Sequence, residues 1–192
     1  MEKICRHIEE EIQPNHPILI GWSLGGLLSI KLYERNPNAY KALILITSTP
    51  CFGMQRNWPG ISNEHQVIFK KMCGKNHGIF FSYYLKLISN ESSVSSTLRN
   101  HIIGQELFNG YKSYQDILFQ SDLRSLFSKI QVPALIIGGA EDPIVPNKIL
   151  SHLMTLNPSL NYQTIPGAGH IPFMTHKVET QKMINQFLTS IS

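Results

Sequence analysis

The stretch "ILIGWSLGGL" (residues 18–27) begins as an apolar run and then breaks into glycine, tryptophan and serine, with two more glycines close behind. Within it Gly21-Trp22-Ser23-Leu24-Gly25 fits G-x-S-x-G, the pattern of a serine held on a sharp strand-to-helix turn. A serine there adopts a strained backbone conformation, and side chains at the flanking positions are expected to collide with neighbouring backbone, hence glycine at both. The turn presents Oγ beside the positive end of the following helix. A serine hydroxyl is a poor nucleophile at neutral pH unless an imidazole takes its proton. That imidazole in turn needs a carboxylate to fix its tautomer and stabilise its charge.

Both partners can be sought further along the chain. Of the three aspartates, Asp116 and Asp122 lie in a helical-looking middle region, whereas Asp142 stands in "GGAEDPIVP", directly after the apolar run "ALIIGG". A loop at the carboxyl end of a parallel strand is where such a carboxylate is held. Glu141 is the adjacent rival, and Asp142 could equally cap a turn before Pro143. Of eight histidines, His170 occupies a glycine-rich loop, "IPGAGHIPF", while His176, six residues on, falls beside the start of the last helix. Serine, aspartate and histidine thus each follow a candidate strand. The assignment is Ser23 as nucleophile, His170 as base and Asp142 as its orienter. The backbone N–H of Leu24, at the helix start, is one oxyanion donor.

The elements that must position these groups follow from hydrophobic spacing. Ile4, Cys5, Ile8 and Ile12 recur at helical spacing among charges over residues 2–12, closed by Pro14. "PILI" (17–20), "KALILITS" (41–48), "VPALIIGG" (132–139) and "NYQTIPG" (161–167) read as strands, the first three apolar enough to be buried on both faces. Helices are expected after residue 24, around 147–156 and near 177–190, the last burying Val178, Ile184, Phe187 and Leu188. Strand, helix, strand in so short a span implies right-handed crossovers and a parallel sheet covered by helices, an α/β fold. Residues 50–128 carry helical patterns and no confident strand. They read as an insertion, with residues 1–49 and 129–192 as the core. This insertion holds eight Lys or Arg against five acids, and so most of the formal net charge of +4.

Composition narrows the function. With 192 residues, 42% of them hydrophobic and 16% charged, the chain suits one soluble domain able to bury a core. The lysines are scattered, and no basic run with interleaved aromatics points to nucleic acid. Three widely spaced cysteines give neither a disulfide framework nor a CxxC site, which fits a reducing compartment. No signal-peptide core and no stretch of roughly 18 uncharged apolar residues is present, so a cytoplasmic location off the membrane is expected. HExxH, GxxxxGK[ST] and GxGxxG are all missing, and no metal and no cofactor are expected.

Beyond the serine motif, "GWSLGGL" (21–27), "TSTPCF" (47–52) leading to "WPGI" (58–61), "DLR" (122–124), "VPNK" (145–148) and "GHIPFMTH" (169–176) span nearly all of the chain from residue 17 onward. On these stretches the chain resembles the α/β-hydrolase family, and within it the serine carboxylesterases that cleave the methyl ester of pimeloyl-acyl carrier protein in biotin synthesis. The resemblance implies an α/β-hydrolase fold with the triad Ser23, Asp142 and His170 and with Leu24 as oxyanion donor. It implies that residues 50–128 are a helical cap over an acyl channel, with Trp22 and Tyr84 among the aromatics lining it. The implied partner is an acyl carrier protein bearing a pimeloyl methyl ester. Where the family's cap carries a first pair of arginines that grip this partner, the sequence has Ile79 and Tyr83. Lys70, Lys71, Lys75, Lys86 and Arg99 are the cations available as substitutes.

Family members begin with several strands and a loop bearing the second oxyanion donor, whereas this sequence starts at the helix before the serine strand. The chain is therefore expected to be a truncated form, with "PILI" at a sheet edge. Because loss of one oxyanion donor costs on the order of a hundred- to a thousandfold in turnover, residues 1–192 alone are expected to be weakly active or inactive. Two other functions compete on sequence grounds. One is a generalist esterase for short acyl esters, and the other a non-catalytic binding module that keeps the scaffold.

Overall fold

Three largely apolar runs and a more polar fourth, Asn-Tyr-Gln-Thr-Ile, pair in the order in which the chain makes them. In the computed structural model, which describes residues 1–12, 15–75, 84–88 and 111–192 with the side chains of 72–75 and 111–113 left aside, they form one parallel sheet ordered β1-β2-β3-β4. The strands are β1 (Ile18–Trp22), β2 (Ala42–Ile46), β3 (Ala134–Gly139) and β4 (Asn161–Ile165). Every residue of β2 is buried, as a strand flanked by strands on both sides and by helices on both faces demands. The register sets Trp22 opposite Ile46, Ile46 opposite Ile137, and Gly139 opposite Ile165, so the carboxyl ends of all four strands gather along one rim. β1 is the edge strand expected for "PILI", and Ile20, on the sheet face it shares with Ile18 and Trp22, is 60% exposed.

The crossovers put helices on both faces. After α1 (Glu2–Glu11), the helices α2 (Leu24–Arg35) and α6 (Ile149–Leu156) bury Leu27, Ile30, Ile149 and Leu153 against Leu43, Leu45 and Ile136. On the opposite face the last helix, α8 (Lys177–Ser190), brings Phe187 onto Ile44, Leu135 and Ile137. Each such side chain contributes about 1.5–3 kcal/mol by leaving water, and with both faces covered β2 is apolar throughout instead of alternating. α1 docks on α2 through charge as well as through Cys5: Arg35 donates from Nε to Glu9 at 2.7 Å and from Nη1 to Glu2 at 2.6 Å. These hydrogen bonds hold both carboxyls below the usual carboxylate range, Lys31 making the largest contribution at Glu2.

One expected core residue is misplaced: Val178 is 76% exposed. It precedes Phe187 by nine residues, two and a half turns at 3.6 residues per turn, and so lies on the opposite side of the helix. Ile184 and Leu188, within about 100° of Phe187 around the helix, do pack on the sheet.

The stretch from 50 to 128 contains α3 (Asn63–Lys75), a helical turn at 84–88, α4 (Tyr111–Gln120) and α5 (Arg124–Phe127) among its described residues. Before α3 the chain makes two isolated bridges, Gly53 with Ile61 and Gln55 with Trp58. The short helix α7 (Pro172–Thr175) links the β4 loop to α8. Among the described residues no helix is long and apolar enough to cross a membrane.

Candidate active site

Ser23 ends β1 with φ 51° and ψ −119°, a conformation that costs a non-glycine residue about 1–3 kcal/mol. The turn is held from both sides. The Ser23 amide donates to the Ile46 carbonyl at 3.0 Å, and the Ser23 carbonyl accepts from Ser48 Oγ at 2.7 Å. Gly21 is required by sterics, since a Cβ there would lie 2.6 Å from the Gly25 carbonyl oxygen. The expectation fails at Gly25, where a Cβ meets nothing within 4 Å; the second tight contact belongs instead to Gly26, whose Cβ would lie 2.1 Å from Ser48 Oγ. In this turn it is α2, at Gly26, that presses on the segment following β2.

The aspartate and the histidine arrive from the ends of β3 and β4. Asp142 follows β3 in a tight loop where its Oδ1 accepts from the amides of Ile144 (2.8 Å) and Val145 (3.0 Å). Its Oδ2 accepts from His170 Nδ1 at 2.8 Å, and neither side chain has any exposed surface. With its proton on Nδ1, as an acceptor-only carboxylate requires, His170 accepts at Nε2 from Ser23 Oγ at 2.9 Å. Ser23, His170 and Asp142 therefore lie on one hydrogen-bonded line. The rivals lie off it: Glu141 is exposed, His176 bonds Thr175 Oγ1 at 3.0 Å, Asp116 accepts from Gln120, and Asp122 from Arg124.

The loop bearing His170 owes its path to two glycines. Gly167 takes φ +73°, and Gly139 at the end of β3 leaves no room for a side chain, since a Cβ would stand 2.3 Å from the Gly169 oxygen and 2.5 Å from that of Ala168. Gly139→Ala should therefore push the histidine loop outward. Because a displacement of about 1 Å costs on the order of a hundredfold in rate, we expect kcat to fall by about that factor. Steady-state kinetics with a melting curve alongside measures it.

Trp22 stands close to this line. The Trp22 indole Nε1 donates to the His170 carbonyl at 2.8 Å, and its ring lies 5.7 Å from the imidazole and 5.5 Å from Phe173. Tyr84 packs edge-on against Phe69 at 6.2 Å, and burial, with the charge of Asp142 second, pushes its phenol well above its ordinary range. Leu24 opens α2, where helix geometry gives its N–H no intrahelical acceptor. Two residues at the site lie in the stretch "TSTPCF" (47–52) but had no role assigned to them from the sequence. Thr47 donates from Oγ1 to the His170 carbonyl at 2.9 Å, and its neighbour Ser48 holds Ser23. The signal available was their position, two hydroxyl residues directly after a wholly apolar strand. A rival nucleophile fails on chemistry: burial, with Asp122 adding to it, pushes the Cys51 thiol up to about 11, so it stays protonated at neutral pH. Among the described residues no three His, Cys, Asp or Glu side chains gather as a metal site.

The arrangement can move the Ser23 proton to His170 while Asp142 stabilises the imidazolium, the chemistry of acyl transfer through an activated serine. A family model described as alpha/beta hydrolase fold matches residues 1–177, and the chain belongs to that family. It is a carboxylic ester hydrolase of that fold. Among named relatives, the pimeloyl-[acyl-carrier protein] methyl ester esterase of Wigglesworthia glossinidia brevipalpis is 32% identical over 183 residues, covering 91% of this chain and 71% of that protein. The protein of the same name from Salmonella typhimurium is 31% identical over 172 residues, covering 85% of this chain and 66% of its own length. The chain thus spans about two thirds of the length of these relatives. Among solved structures, an esterase from Exiguobacterium antarcticum superposes with a TM-score of 0.88 at 17% identity, covering 98% of this chain and 73% of that one. A bromoperoxidase from Bacillus anthracis gives 0.84 at 19%, covering 96% and 71%. At these identities the superpositions speak to the fold.

Proposed function

We propose that this chain hydrolyses the methyl ester of a pimeloyl group carried on acyl carrier protein, releasing methanol, as a step of biotin synthesis in the cytoplasm. The observation that carries the chemistry is the unbroken line from Asp142 through His170 to Ser23. The substrate follows from the relatives named above. Ser23 Oγ attacks the ester carbonyl as its proton passes to His170 Nε2. The Leu24 N–H, at the positive end of α2, stabilises the oxyanion. His170 then protonates departing methoxide, and a water activated by the same imidazole releases the acid.

Residues 1–49 and 129–192 act as the hydrolase core and residues 50–128 as a cap over the acyl chain, with Trp22 and Tyr84 on the channel wall. For the acidic carrier protein the cap offers Lys71 and Lys86, both exposed, while Lys70 lies 5.6 Å over the Phe119 ring. Ile79, Tyr83 and Arg99, and the side chain of Lys75, lie outside the described residues.

The test is to compare methanol release from methyl-pimeloyl carrier protein with hydrolysis of p-nitrophenyl acetate. A higher kcat/KM on the carrier-bound ester supports the proposal. A preference for the acetate returns the generalist esterase, and turnover of neither leaves a binding module.

A further inference from the structure

We infer that Thr47 and Ser48, the two hydroxyl residues closing β2, set the reach between His170 and Ser23 by holding the main-chain carbonyls of both. The inference deepens the proposed chemistry and rests on it. Thr47 is 1% exposed and adopts φ 43°, a region that a β-branched side chain enters only at a cost. What it gains there is specific. Its amide donates to the Ile137 carbonyl at 2.7 Å, tying it to β3, while its Oγ1 donates to the His170 carbonyl at 2.9 Å. Ser48, 3% exposed, takes the Ser23 carbonyl at 2.7 Å. One dipeptide at a strand end, rigid because β2 is buried throughout, thus holds proton donor and proton acceptor together.

Trp22 closes the arrangement from the other side. It precedes Ser23 in the chain and gives its indole N–H to the same His170 carbonyl, at 2.8 Å. The carbonyl of the base is therefore gripped by two donors based on neighbouring strands. This grip matters because His170 follows Gly167, Ala168 and Gly169, a segment with little side chain of its own to fix it. Thr47 and Ser48 have no need to touch substrate. They are positioning residues, and their effect should fall on kcat and leave KM alone.

The test uses the full chain and p-nitrophenyl acetate, after Ser23→Ala has shown that wild-type turnover depends on Ser23. Thr47→Val, close to isosteric but without a donor, should lower kcat on the order of tenfold with KM within about twofold, the loss one hydrogen bond allows. Thr47→Ser restores the donor and should bring kcat back to within about threefold of wild type. Ser48→Ala should lower kcat similarly. If Thr47→Val does not fold, Thr47→Ala against Thr47→Ser carries the same comparison. A kcat for Thr47→Val within twofold of wild type, or a Thr47→Ser variant no better than Thr47→Val, overturns the inference while leaving the esterase chemistry intact. Wild-type turnover that survives Ser23→Ala instead overturns the chemistry itself.

Discussion

Replacing Ser23 by alanine should remove essentially all of the ester hydrolysis this chain performs, because a triad nucleophile accounts for up to about a millionfold in kcat where the rest of the machinery is complete. The reason is visible in the turn. Ser23 Oγ meets His170 Nε2 at 2.9 Å, and the strain at φ 51° serves to hold it there. Alanine keeps the Cβ and the backbone contacts with Ile46 and Ser48, so folding should survive and KM should change little. Single-turnover kinetics on the purified variant checks this. A Ser23→Ala protein with a tenth or more of wild-type turnover would remove Ser23 from the reaction.

The second large effect is expected at Asp142. Its Oδ2 takes the proton-bearing Nδ1 of a fully buried imidazole, and its Oδ1 is occupied by two backbone amides. Asn in its place can satisfy those amides with its carbonyl oxygen. The NH2 then faces His170, and the ring must offer it an unprotonated nitrogen. The tautomer is thereby inverted, Nε2 carries the proton and can no longer accept one from Ser23. We expect Asp142→Asn to cut kcat by about 10⁴ with nearly unchanged structure and melting temperature. A stopped assay in parallel with circular dichroism separates this from unfolding. Loss of less than tenfold would mean that the carboxylate does not govern the histidine.

Much of the arrangement was legible because its signals are local. A strand buried on both faces is a short apolar run whatever surrounds it, so "ALILI" and "ALIIGG" were recognisable without knowing their neighbours. The parallel crossover rule then puts every strand's carboxyl end on one rim. That rule is enough to favour Asp142 and His170 over residues deeper in helices. The less legible features depend on spatial neighbours. Whether Gly25 or Gly26 is the tight contact depends on which strand α2 faces, and Ser48 decides it for Gly26. That Thr47 and Trp22 both reach the His170 carbonyl requires β1 beside β2 and the β4 loop folded over their ends. Val178 failed for a simpler reason, since it was counted by its type and not by its angle around the helix.

The central claim is that Ser23 is activated, and a fluorophosphonate reports that state directly because it phosphonylates a serine only where a base takes the proton. Intact-mass spectrometry of the treated chain should show one adduct, peptide mapping should put it on Ser23, and the Asp142→Asn variant should acquire it far more slowly. A chain that takes no adduct, or carries it on another residue while Ser23 stays free, would contradict the account.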